Sequence, residues 1–244
     1  MTGATRPGGD KFESDDDQPR VAFAFALVLV VVTGFVDAIG FTRLFGVFPA
    51  NQTGNIVLFG ISIGDGVTGD WWRPGLAMLA FALGVAVAHR GGRRIAARSR
   101  RPALLTIETL ALATVAVLAG DVQQRHQLHG ATEVMVLTVA ALAMGLQTVL
   151  LGRVAGISVS TTFETGALVR LTETVDDFTA IRTTDAGRRT ALVLAAIVVG
   201  YAAGAALGTA TSREWGRALW IPVIVVAALA LVATVRSRPS RTDA

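Results

Sequence analysis

The sequence predicts an all-α, polytopic membrane protein: six transmembrane helices plus two short re-entrant or broken helices, arranged as an internal 3+3 inverted repeat. Three observations carry this prediction. Of 244 residues, 52% are apolar and only 16% charged, with a mean hydropathy of +0.55. A soluble domain carries about 25% charge, so too little polar matter is present to cover a globule of this size. The apolar residues also gather in six blocks that approach the ~20 residues needed to cross a bilayer, and a set of motifs recurs in the same order in both halves of the chain.

The charge is 22 basic residues against 18 acidic, 21 of the basic ones being Arg. Most Arg lie in short gaps between apolar blocks, where topology determinants sit, which argues against a nucleic-acid partner. Cysteine is absent, which removes disulfides, thiolate metal sites and Cys nucleophiles together.

Residues 1–20 mix Gly, Pro and an acidic run, Glu13 to Asp17, and read as a disordered cytoplasmic tail. They lack the basic start of a signal peptide, so the apolar block after them reads as a retained first span. A single transmembrane domain then covers 21–236, in halves of about 21–120 and 133–236, with 237–244 as a second cytoplasmic tail. The six expected spans are Val21 to Phe41, Gly75 to His89, Ala103 to Gly120, Val134 to Leu151, Thr190 to Thr209 and Ala218 to Val235. The second needs Trp71 and Trp72 as interfacial anchors. Pro49 to Gly64 and Thr161 to Thr172 are shorter and studded with polar residues, as re-entrant or interfacial segments are.

The repeat rests on three matches. Gly34-Phe-Val-Asp37 aligns with Gly145-Leu-Gln-Thr148 at an offset of 111, Thr53-Gly54 with Thr165-Gly166 at 112, and Phe81-Ala-Leu-Gly84 with Tyr201-Ala-Ala-Gly204 at 120. Composition alone could explain the third match but hardly the polar Thr-Gly pair.

Each half therefore reads as span, short segment, span, span. The Arg distribution decides whether the short segment crosses. If it dips in and returns, seventeen basic residues lie on the side of the Arg90 to Arg101 loop and five on the other; if it crosses, the split is ten to twelve. The positive-inside rule selects the first arrangement, with both termini cytoplasmic. Seven extended residues ahead of each short segment, Thr42 to Phe48 and Val154 to Ser160, can reach a midplane ~15 Å deep. Pro49 suits a first helical turn, and Thr161 with Glu164 forms a capping box. Two helix N-termini converging at mid-membrane is how transporters build a solute site.

GFVDAIGFTRLFGVFPANQTGNIVLFG and GLQTVLLGRVAGISVSTTFETGALVRL resemble the two signature stretches of the YoaK-like family of bacterial integral membrane proteins, a domain family of unknown function. The resemblance runs from about Val21 to Val235 and implies a multi-span protein of the bacterial inner (plasma) membrane; it implies no substrate. One departure is Thr148, where the family often has Asn after the Gln of the second motif.

Asp37 lies about sixteen residues into the first span, ~24 Å from its inner end. A carboxylate there faces a cavity, pairs with Arg43, or caps a helix near the outer interface. Asn51 and Asn55 share one face of the first short helix, with Gln52 and Thr53 beside them, and either line a path or pack helices together. Gln147, Glu164 and Thr165 are their candidates from the second half, Glu164 having its capping role as the structural alternative. Glu108, a turn or two past Arg101, can reach the interface. Gly200, Gly204 and Gly208 form a small-residue ridge that suits a close helix contact within the protein or in a homo-oligomer. His126 and His129 lack a third ligand for a metal. No HExxH, GxSxG, P-loop or GxGxxG pattern is present, so neither an enzyme nor a cofactor is expected. The expected partners are the lipid bilayer and a small solute. The expected function is a small-solute transporter or channel lined by Asp37, Asn51, Gln52, Thr53, Asn55, Gln147, Glu164 and Thr165; the alternative is a non-transporting assembly or sensory partner.

Overall fold

A computed structural model describes residues 19–44, 46–65, 70–125, 130–151, 153–154, 157–158, 172 and 185–237. The helices are α1 (Pro19–Ile39), α2 (Gln52–Gly64), α3 (Trp72–Arg94), α4 (Ala97–Arg125), α5 (Ala131–Leu151), α6 (Asp185–Ala210), the single turn α7 (Trp215–Ala218) and α8 (Trp220–Arg236). A π-helical turn, Gly40–Leu44, extends α1, and a 3-10 turn, Ser212–Glu214, leads into α7. Arg153–Val154 and Ile157–Ser158 form a two-residue antiparallel pair. Among the described residues, six helical stretches are long and apolar enough to cross a membrane: Val21–Leu44, Trp72–Arg94, Ala97–Gly120, Ala131–Leu151, Arg188–Ala210 and Ser212–Arg236. They are the six expected from the sequence, lengthened by a turn or two because polar flanks continue a helix at no cost once they leave the hydrocarbon.

Large apolar side chains face both ways. Leu29, Leu105, Leu112, Leu137 and Met144 are buried, while Leu79, Leu110, Leu192, Ile224 and Leu231 are exposed, as expected of helices that meet lipid on one side and each other on the other. Close packing therefore depends on small residues. A Cβ on Gly34 would lie 2.1 Å from the Tyr201 carbonyl oxygen, and one on Gly204 2.0 Å from that of Val31. Backbone touches backbone along α1 and α6. The same holds for α3 and α5, where a Cβ on Gly145 would lie 2.2 Å from the Phe81 carbonyl oxygen and one on Gly84 2.3 Å from that of Leu142. Gly200 faces Leu27 and Gly208 faces Phe35, so the whole ridge of α6 is spent on α1 of the same chain. This is the close contact within the protein that the sequence allowed.

The directions of the helices follow from their contacts. α1 and α6 run parallel, since Gly204 meets Val31 and Gly208 meets Phe35. α4 and α8 run antiparallel, because Arg98 near the start of α4 donates to the carbonyl of Ser237 at the end of α8. Arg73 at the start of α3 bonds Glu133 at the start of α5 at 2.6 Å, so these two begin at one end of the bundle. α1 and α4 run the same way, with Arg101 over the Phe25 ring, and α5 runs back beside α4, with Leu150 and Leu151 beside Leu105. Consequently α5 ends and α6 begins at the same end of the bundle.

Candidate functional site

The site begins where α1 breaks. After the π turn, Gly46 takes a left-handed φ of 67°, a conformation that costs glycine little, and Phe41 stacks on Phe48 with ring centroids 4.5 Å apart. The chain folds back on itself, and at Ala50 it has returned to the depth of Asp37: the Ala50 amide donates to Asp37 Oδ1 at 2.6 Å. α2 starts from there and runs back toward the start of α3, where Phe59 meets Trp71 edge-on and lies under Gly75. Its thirteen residues span ~20 Å, too short to cross. The first short segment is thus re-entrant in form. Pro49, expected in the first helical turn, instead lies ahead of the helix; its ring sits where a Cβ on Gly40 would be.

Asp37 is 1% exposed. Its second oxygen, Oδ2, accepts from the Tyr201 hydroxyl of α6 at 2.7 Å. Neither oxygen takes Arg43, whose guanidinium donates to Ser212 Oγ at 3.0 Å. The pairing of Asp37 with Arg43 allowed by the sequence is therefore absent, and the carboxylate joins three elements instead: α1, the start of α2, and α6.

The amides of the first short helix are held by its own loop. Asn51 is the N-cap of α2, its Oδ1 accepting from the Gly54 amide at 3.1 Å. Asn55 is fully buried and pairs with Phe48 as a second peptide group would, accepting from the Phe48 amide at 2.9 Å and donating to its carbonyl at 2.6 Å. Gln52 accepts from Asn55 at 3.1 Å and donates to the Pro49 carbonyl at 3.1 Å. Thr53 is exposed. Burial forces such pairing, because the irregular backbone from Val47 to Asn51 lies at membrane depth and its polar groups need partners.

Gln147 is brought to α1. Its Nε2 donates to the Leu29 carbonyl at 2.8 Å and to Thr33 Oγ1 at 2.5 Å. Glu108 departs from the sequence reading: it is 0% exposed and does not reach an interface. The register from Arg101 gave the right height on α4 but not the side, and Glu108 faces the neighbouring helices. Glu164 and Thr165 lie outside the described residues, as do the other positions of the second short segment from Thr161 to Leu171 and the loop histidines His126 and His129.

What the geometry assembles is an integral membrane protein of six apolar helices in which a re-entrant helix is tied to a buried carboxylate. The chain belongs to the family described as "Protein of unknown function (DUF1275)", whose model matches residues 25–232. It is 26% identical over 212 residues to the "UPF0700 transmembrane protein YoaK" of Bacillus subtilis (strain 168), covering 86% of this chain and 92% of that protein. No solved structure matches the chain.

Proposed function

We propose that this chain is a transporter or channel for a small polar solute, non-enzymatic and seated in the bacterial inner membrane with both termini cytoplasmic, its solute site lying between two short half-helices. The observation that carries this reading is the break at Asp37. A carboxylate inside a span is costly, roughly 2.5 to 3.5 kcal/mol on insertion scales, and here it organises a re-entrant helix N-terminus rather than an ion pair. Half-helices whose N-termini point at mid-membrane place backbone dipoles toward a solute. The arrangement described is closed, with the amides of Asn51, Gln52 and Asn55 turned onto their own loop. Opening exchanges those bonds for solute contacts.

The second half contributes the partner segment in this proposal. Its support is the pair of matched glycine contacts: α1 on α6 and α5 on α3 use residues related by the sequence offsets 111 and 120. An inverted duplication in which each half lends its first span to the second span of the other explains that match. The seventeen-to-five split of basic residues supports the orientation.

The test is an uptake and efflux screen in proteoliposomes with pH and voltage readouts, comparing the unaltered protein with Asp37→Asn. A solute-dependent flux abolished or changed in pH dependence by Asp37→Asn is the expected result. An unchanged flux in a stable Asp37→Asn protein removes Asp37 from the mechanism. Single cysteines, convenient in a chain without native Cys, should label from the cytoplasm at Ser99 and Ser237 and from outside at Thr211. A second reading, a non-transporting membrane partner, is favoured by the fact that every side-chain amide of the first short helix is already bonded to that helix and its loop. No flux for any solute class, with Asn51→Cys and Asn55→Cys both protected from impermeant thiol reagents, selects it.

A further inference from the structure

Both carboxyl oxygens of Glu108 and Oε1 of Gln147 are buried without a hydrogen-bond partner among the described residues. The orientation of the Gln147 amide is fixed by chemistry. The Thr33 hydroxyl gives its single proton to the Leu29 carbonyl at 2.9 Å, so Thr33 Oγ1 and the Leu29 oxygen can both only accept. Both face Gln147, and only the amide nitrogen can serve them. Oε1 is therefore turned away from α1 with two lone pairs and no donor.

Glu108 lies at the same height. Arg101 and Leu105 of α4 share one small cleft with Phe25, Ala26 and Leu29 of α1 and with Leu150 and Leu151 of α5. Three residues further along α4 is Glu108; the antiparallel α5 reaches Gln147 in about the same rise, and α1 reaches the Leu29 to Thr33 turn. The other charged groups on the helices packed against α4 are elsewhere: His89, Arg90, Arg93 and Arg94 of α3 lie in its last two turns and are exposed. Glu133 of α5 is paired with Arg73, Arg217 of α7 is paired with Glu214 and exposed, and Arg236 is at the far end of α8. Asp37 of α1 holds Ala50 and Tyr201. On α8 the stretch opposite Glu108 is Val226 to Ala230, apolar throughout. A cationic partner at this height is absent among the described residues.

We infer that Glu108 and Gln147 form a proton-binding site inside the bundle, the carboxyl group of Glu108 holding the proton and donating it in a hydrogen bond to Gln147 Oε1. One proton removes the buried charge and supplies the donor that Gln147 Oε1 lacks. An ionised carboxylate needs donors, and Gln147 offers it only a carbonyl oxygen; a protonated one becomes the donor that this oxygen lacks. The site lies one helical turn along α1 from the Asp37 layer and is independent of the solute proposed for that layer.

Infrared spectroscopy on the full-length protein in lipid nanodiscs at neutral pH tests the inference. The expected result is a protonated-carboxyl C=O band that shifts on ¹³C labelling of Glu but not of Asp, that survives Glu133→Gln, and that disappears in Glu108→Gln. In Gln147→Leu the band should persist and move to the higher frequency of a carboxyl group without an acceptor. The absence of a Glu-derived band from the unaltered protein overturns the site, a measurement that needs no variant to fold. Persistence of the band in Glu108→Gln also overturns it, and an unmoved band in Gln147→Leu overturns the pairing.

Discussion

In the pair formed by α1 and α6, Gly34 lies against the carbonyl of Tyr201 and Gly204 against that of Val31; in the pair formed by α5 and α3, Gly145 lies against Phe81 and Gly84 against Leu142. Even the secondary contacts correspond, the Cβ position of Gly34 lying 3.0 Å from the Ala205 amide nitrogen and that of Gly145 3.0 Å from the Val85 nitrogen. The chemistry beside these contacts differs. Asp37 and Tyr201 hydrogen-bond across the first pair, whereas their counterparts in the proposed duplication are Thr148 and Phe81, and Thr148 donates back to the Met144 carbonyl of its own helix. The contrast separates shared contacts from unshared chemistry. Close backbone contact at the glycines is common to both pairs, while the side chains one turn away differ, and only in the first pair does a buried carboxyl group lie beside those contacts.

The largest expected effects test the shared part of the comparison. Gly204→Leu and Gly84→Leu both force side-chain atoms into a backbone carbonyl, and each should cost at least the upper end of the ~1 to 3 kcal/mol typical of overpacking. The measurement is the monodisperse fraction and melting temperature in detergent. Loss in one variant with tolerance in the other breaks the equivalence of the two pairs.

The unshared part is tested next. Asp37→Ala strands the Ala50 amide and removes an acceptor from the Tyr201 hydroxyl, and should cost about 1 to 3 kcal/mol for the buried amide left unpaired. Thr148→Ala, at the matching place, removes a part-buried hydroxyl that donates to the Met144 carbonyl, not a buried carboxyl group, and should lower melting less. Asp37→Asn keeps an oxygen for Ala50 and offers its amide to the Tyr201 oxygen, so its melting should fall between those of Asp37→Ala and the unaltered protein. Equal losses at positions 37 and 148 would mean that both layers are merely structural.

The smallest effect sharpens the argument about glycine itself. Gly60 of α2 has nothing within 4 Å of its Cβ position, so Gly60→Ala should stabilise by roughly 0.5 to 1 kcal/mol through helix propensity alone. A loss there would indicate an unrecognised neighbour for that face of α2.

The spans, their order and the break after α1 were legible because hydrophobic length and glycine spacing are written along the chain. Asp37 was legible for the same reason, being a charge within an apolar block. The partner of Asp37 was not: Arg43 is six residues away and Tyr201 is 164, and sequence proximity favoured the wrong one. Glu108 was misjudged because a membrane helix is apolar on its lipid face and on its packed face alike, so periodicity does not tell which side a polar residue faces. Asn55 was read as one of a pair lining a helix face; its use as a surrogate peptide group for Phe48 depends on a loop geometry that spacing does not encode.

The interleaving of α1 with α6 also sets a timetable. At ~5 to 20 residues per second, the 164 residues between Asp37 and Tyr201 take roughly 10 to 30 s to synthesise. Through that interval the first span lacks both the hydroxyl that later meets its carboxyl group and the α6 backbone that later covers Gly34. Truncated chains ending before Tyr201 should accordingly be held by the insertion machinery or degraded. Completion of the second half, rather than insertion of the first, is then the event that commits the molecule to its native state.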